Sequence, residues 1–412
     1  MLAVMQVRVY HILPEIHYDF SSDPTGQIVN TPVDSATQEY AHQSNIGDAY
    51  RLGPQESFQP PLYYTLAALV SLPFPANPGT VLYLSRLVTA AFGGAMIYFC
   101  WAAVRQIAPG RPQWAVGAAG AIALLPQFCF NSSSVSNDSA VNCLAAASYY
   151  VWLHGLRDPT YDPRLLRAGA LLGLAWLAKA NALELIPGLT LVLLFRAFQV
   201  QHSVDRMSAR LRRGLVLAAG AATSAAAVGG WLVVRNLFVY GEPTGLRDAG
   251  RFNAGKLPWF DFHDPNVQAN FLQSAWESFW GVFGWFDQLL PPYLYEQART
   301  LTVLLLGLTG LAALLLLGRV VLRRYTIPHY SWQAACVLAT VAGVVIGSFL
   351  WINVKVDFQP QGRYLFLFLL PASLLWTAGL AALPGRLLRG LALSVPIIWL
   401  AMMNLVGILV VR

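Results

Sequence analysis

Apolar runs of span length recur ten times along this 412-residue chain, too many for one soluble core to bury. Crossing the hydrocarbon core of a bilayer as a helix takes about 20 predominantly apolar residues. The runs cover 84–106, 113–130, 137–156, 165–179, 181–198, 213–234, 300–318, 332–352, 363–383 and 390–411. The fourth and fifth are short and share the junction AKANALELIP (178–187), which reads as a tight hairpin. In hydrocarbon every backbone polar group must find its partner inside the protein, which favours helices. The expected fold is therefore an all-α polytopic membrane protein of about ten transmembrane helices. Composition agrees, with 56% hydrophobic and only 11% charged residues, against about 25% charged in soluble domains.

Charge orients these helices. Arg105 and Arg111; Arg157, Arg164 and Arg167; Arg196, Arg206, Arg210, Arg212 and Arg213; Arg319, Arg323 and Arg324; and Arg386 and Arg389 fall in alternate short loops. Those loops hold 15 of the 27 basic residues but only three acids, Asp158, Asp162 and Asp205. The positive-inside rule places them in the cytoplasm and the intervening segments outside. The chain then divides into an external N-terminal loop, 1–83, with an interfacial helix over 60–75; six spans over 84–234; an external aromatic loop, 235–299; and four spans over 300–412. In such a protein a net charge of +7 reports topology and gives no ground for a nucleic-acid partner. Basic residues are almost all Arg, with Lys179, Lys256 and Lys355 the only lysines, and Ala and Leu are abundant. That is the bias of a GC-rich genome, so a bacterial cytoplasmic membrane is the expected location. Cys100, Cys129, Cys143 and Cys336 lie in or beside apolar runs without CxxC spacing, the pattern of small packing residues.

Two stretches resist this scheme. The opening MLAVMQVRVYHILP has no apolar region long enough for a signal peptide, although segment 1–60 is read as external. Either the N-terminus inserts outward or a first span precedes Met1; the second is favoured. ESFQPPLYYTLAALVSLPF (56–74) is apolar, yet from Leu62 to Phe74 it is too short to span. Thirteen helical residues cover about 20 Å, against a core of about 30 Å. Pro60 and Pro61 suit a first helical turn, Pro73 and Pro75 end the helix, and Tyr63 and Tyr64 suit the headgroup level. An external helix at the interface is expected.

QPPLYY (59–64) followed by LSRL (84–87), SVSNDS (134–139), VRNLFVYGEPTG (234–245), WESFWGVFGWFD (276–287) and QPQGRYLF (359–366) occur in an order that resembles the GT-C fold glycosyltransferases. These include protein O-mannosyltransferases and aminoarabinose transferases, together with an uncharacterised bacterial polytopic family. The resemblance covers nearly the whole chain and rests on order and topology. It implies a GT-C-like fold and transfer of a sugar from a polyprenyl-phosphate donor to an extracytoplasmic acceptor: a glycan, lipid or protein of the cell envelope. Membrane lipids would be the surrounding partner. Such enzymes carry an acidic motif after their first span. YHILPE (10–15) resembles the stretch downstream of it, which would put that acid upstream of Met1.

Transfer from a lipid phosphate makes unequal demands. The leaving phosphate is already a stable anion and needs cations, whereas the acceptor hydroxyl needs a carboxylate base. A divalent cation, Mg or Mn, could replace one side-chain cation. Candidate phosphate ligands are Arg363, whose fork matches phosphate oxygens, then Arg235 and Lys179. Each arginine could equally snorkel at the interface, and Lys179 could pair with Glu184 across the hairpin. Candidate bases are Glu56, Asp138 and Glu15, though Asp138 also suits an N-cap and Glu56 could cap or orient the short helix. Alternating Glu15, His17 and Asp19 could face one metal; without a second cluster, no metal ligands are assigned. Gln59, Tyr63, Tyr64, Trp276, Trp280, Trp285 and Tyr364 could line a sugar or isoprenoid groove, and the tryptophans could equally anchor the chain at the interface. A transporter or flippase, or a non-catalytic component of polysaccharide assembly, remains the alternative.

Overall fold

The computed structural model describes residues 59–75, 77–158, 162–198, 207–244, 264–284, 286–322, 328–355, 359–381, 383 and 385–411. Among these residues the fold is helical, apart from one two-stranded hairpin. Seven helices are long and apolar enough to cross a membrane, and a bent pair makes an eighth if counted as one span. The chain is thus all-α, with the helices of a multi-pass membrane protein.

Helix α1 (Leu62–Ser71) starts directly after Pro61 and is short. Tyr63, Ala67 and Ser71 recur every four residues and form its buried face, while Leu69, Val70, Leu72 and Phe74 are exposed. The buried face lies on α2 (Pro78–Ile107), which Asn77 caps by accepting from the Thr80 amide at 2.8 Å. The Tyr63 hydroxyl sits 2.7 Å from Thr89 Oγ1 and 3.2 Å from the Ser85 carbonyl. The short helix is therefore half packed and half apolar surface.

The run expected as one span over 113–130 is broken. Helices α3 (Pro112–Ala123) and α4 (Pro126–Ser133) meet at 63°. Pro126 cannot donate to the continuing ladder, and side chains satisfy the carbonyls freed at the break. Asn404 Nδ2 donates to the Leu124 carbonyl and Cys129 Sγ to that of Ala123. This is how a break persists at membrane depth.

Helix α5 (Asp138–Arg157) is buried along most of its length, with Tyr149 and Trp152 at 1% and 0% exposure. It packs between α2 and α6 (Asp162–Ala178). Because protein rather than lipid surrounds it, α5 holds Asn142 and Ser148 within an otherwise apolar stretch. The expected hairpin after α6 is a 3-10 helix, Ala180–Leu185, running directly into α7 (Ile186–Phe198). Helix α8 (Met207–Tyr240) lies against α6. A Cβ at Gly169 or Gly173 would strike its backbone, the close approach that small residues allow between membrane helices.

Segment 235–299, expected as a loop, is largely structured where described. It contains the end of α8, helix α9 (Pro265–Trp280), and the hairpin of β1 (Val282–Phe283) and β2 (Gln288–Leu289). Gly284 and Phe286 take positive φ at the turn. Helix α10 (Pro292–Val321) follows; most of its apolar side chains are exposed, so it lies at the periphery. Next come α11 (His329–Lys355), a 3-10 helix (Gly362–Phe368), α12 (Leu369–Ala381) and α13 (Arg386–Val411). One hydrophobic core, from Tyr63 to Met403, includes residues of every run from 84–106 to 390–411 except 300–318.

Candidate functional site

Several chain segments end at one place. The N-terminus of α5, the residue after α6, the residues before α1 and the start of the Gly362–Phe368 helix all converge there. At α5 the sequence SND divides the work: Ser136 Oγ accepts from the Asp138 amide at 3.1 Å, and Asn137 holds the N-cap position. The Asn137 side chain does not cap its helix. It donates to Gln59 Oε1 at 3.1 Å and to the Ala178 carbonyl at 3.3 Å, tying α5 to the entry of α1 and the end of α6. Asp138 is the first helical residue, and its carboxylate is turned toward two cations.

Those cations come from distant parts of the chain. Lys179 Nζ meets Asp138 Oδ1, and Arg363 Nε lies 3.8 Å from Asp138 Oδ2. Asp138 is only 4% exposed. A buried carboxylate is costly unless paired and hydrogen-bonded, and these contacts meet that requirement. Tyr364 lies beside both cations, its ring centre 5.0 Å from Lys179 Nζ and 5.3 Å from Arg363 Cζ. Its hydroxyl donates to Gln359 Oε1 at 2.9 Å.

The Arg363 segment is held from behind. Gln359 N donates to Asn353 Oδ1 at 2.8 Å, and Gly362 N donates to Ser278 Oγ at 2.8 Å. A Cβ at Gly362 would overlap the Phe279 backbone. Gly362→Ala is therefore expected to separate α9 from the Arg363 turn and destabilise by about 1–3 kcal/mol through overpacking. Thermal unfolding of the detergent-purified protein checks this; a wild-type midpoint would rule out the close approach.

Of the residues singled out in the sequence, Asp138, Lys179, Arg363, Tyr364 and Gln59 come together. The N-cap reading of Asp138 is corrected, because Asn137 occupies that position and the Asp138 carboxylate engages the cations. Lys179 likewise pairs with Asp138, while Glu184 Oε1 accepts from Ser348 Oγ at 2.5 Å. Arg235 donates to Asn236 Oδ1 at 3.0 Å and lies 5.5 Å from the Tyr240 ring, near the end of α8. Tyr63 is core rather than groove; Tyr64 meets it edge-on at 5.4 Å. Trp276 donates to the Tyr295 carbonyl at 3.4 Å. Trp280, 1% exposed, stacks on Trp376 at 5.5 Å, so it too is core rather than groove lining. Glu15, Glu56 and Trp285 lie outside the described residues.

Sequence reasoning missed Asn137, Ser136, Ser278, Asn353 and Gln359. Ser136, Asn137, Ser278 and Gln359 lay within quoted motifs, whereas Asn353 did not; Ser278 acts through Gly362, 84 positions along the chain, and Asn353 through nearby Gln359. Among the described residues no group of three or more His, Cys, Asp or Glu could hold a metal ion. No protein-family model, curated protein or solved structure matches the chain.

Proposed function

We propose that this chain is a multi-pass, GT-C-like glycosyltransferase of the bacterial cytoplasmic membrane, using a polyprenyl-phosphate-linked sugar and an extracytoplasmic acceptor. The observation that carries the reading is one buried carboxylate set between an ammonium and a guanidinium at the helix ends. Inverting transfer from a lipid phosphate needs those groups. Lys179 and Arg363 take the donor phosphate, drawing away from Asp138 and leaving a carboxylate oxygen for the acceptor. Asp138 accepts the hydroxyl proton as the acceptor oxygen bonds to the anomeric carbon. The bond from that carbon to the phosphate oxygen breaks, and the phosphate leaves with the electron pair. Tyr364, itself held by Gln359, steadies the cations from one side.

Orientation supports the same reading. Asp138 opens α5 and Arg157 closes it, 20 residues along, a length of about 30 Å. Arg157 belongs to the Arg-rich loops assigned to the cytoplasm, so Asp138 falls at the external face. A transporter draws support from the broken α3–α4 pair and from Glu184 within an apolar helix. Full-length protein in proteoliposomes with radiolabelled polyprenyl-phosphoryl hexoses separates the two. Loss of label from the carrier, dependent on Asp138, is expected. Intact donor together with lipid or solute flux that Lys179→Ala blocks would favour the transporter instead.

A further inference from the structure

The 3-10 helix following Lys179 carries a second polar feature that the proposed transfer chemistry does not use. Residues three apart on a 3-10 helix are eclipsed, and Asn181 and Glu184 are such a pair within Ala180–Leu185. Their side chains therefore leave the backbone in the same direction. Asn181 Oδ1 and Glu184 Oε2 are both buried, and neither has a hydrogen-bond partner among the described residues. Glu184 is held in place by Ser348 Oγ on α11, which donates to the other carboxylate oxygen at 2.5 Å. A buried acceptor left without a donor bears its full desolvation penalty. Two on one short helix, with one carboxylate fixed by a dedicated serine, form an arrangement suited to a group that brings donors.

We infer that Asn181 and Glu184 form the sugar subsite of the proposed donor site, accepting hydrogen bonds from sugar hydroxyls. The inference rests on Lys179 and Arg363 holding the donor phosphate. Lys179 immediately precedes the same helix, whose rise is about 2 Å per residue. That spacing puts the Asn181 and Glu184 backbones about 4 and 10 Å along the axis from Lys179. A sugar attached to a phosphate at Lys179 lies beside these acceptors. Hydroxyls are the complementary chemistry, because a neutral ring with several O–H groups satisfies a carboxylate and an amide oxygen together.

The test uses detergent-purified full-length protein with farnesyl phosphate and farnesyl-phosphoryl hexoses as probes. Wild type is expected to bind farnesyl phosphate, and at least one hexose form about tenfold more tightly, the size of one charge-assisted hydrogen bond. In Glu184→Gln the new amide can donate to Asn181 Oδ1, so the hexose gain disappears, farnesyl phosphate binding is unchanged and the melting temperature rises. No farnesyl phosphate binding by wild type would overturn the phosphate seat and the subsite with it. Binding without any hexose gain, or a gain that survives in Glu184→Gln, would overturn the subsite alone.

Discussion

Asp138→Asn is expected to lower sugar transfer by at least about 100-fold, the lower end of what a positioned general base contributes. The amide keeps the shape of the side chain but cannot take the acceptor proton. Stability should also fall, because Lys179 and Arg363 lose the carboxylate between them. Removing one partner of a buried pair costs about 3–5 kcal/mol. The lower figure, about 3 kcal/mol, is appropriate to full removal of the carboxylate, since the Arg363 side chain is 35% exposed and screened by solvent. A double replacement separates chemistry from folding. Asp138→Leu with Lys179→Met substitutes an apolar pair of similar size, a change that is often neutral. It should recover much of the melting temperature while transfer stays absent. Full transfer by Asp138→Asn would leave the carboxylate a purely structural role.

Arg363→Ala should reduce transfer by about 100- to 1,000-fold, the usual effect of deleting one donor aimed at developing charge. Unlike Asp138 it is expected to leave folding nearly intact. Its side chain is 35% exposed and its nearer nitrogen is 3.8 Å from the carboxylate, and partly exposed pairs contribute at most about 1 kcal/mol. Arg363→Lys keeps the charge but not the planar fork, so only partial recovery is expected. The check is single-turnover transfer alongside thermal unfolding. Wild-type transfer in Arg363→Ala would remove this residue from the donor phosphate, whatever happens to stability.

The two variants also differ in how visible their residues were beforehand. Arg363 could be selected from QGRY because its guanidinium fork matches phosphate oxygens, although an arginine at a span end can equally snorkel. Asp138 was visible only as an acid in SND, where capping the helix was the simpler expectation. Local pattern could not show that Asn137 takes the cap position and is itself drawn toward Gln59 and Ala178. Trp280 illustrates the opposite error. Its i, i+4 spacing from Trp276 suggested a sugar or isoprenoid groove or an interfacial anchor, but its ring is buried and stacks on Trp376, almost a hundred residues away in sequence.

The amino-acid sequence determined by itself that the chain is helical and membrane-like, because apolar length and alternating basic loops are one-dimensional quantities. Every one of the ten apolar runs contains helix in the structure. Tertiary structure decided which polar residues meet. Lys179 lies 41 positions from Asp138 and Arg363 more than two hundred. Helix packing brings their ends together, and neither spacing nor periodicity encodes that convergence. Tertiary structure also decided that 113–130 breaks at Pro126, because the break requires donors such as Asn404 from the last helix. A proline marks where a helix can break; only the surrounding protein supplies the partners that let it persist.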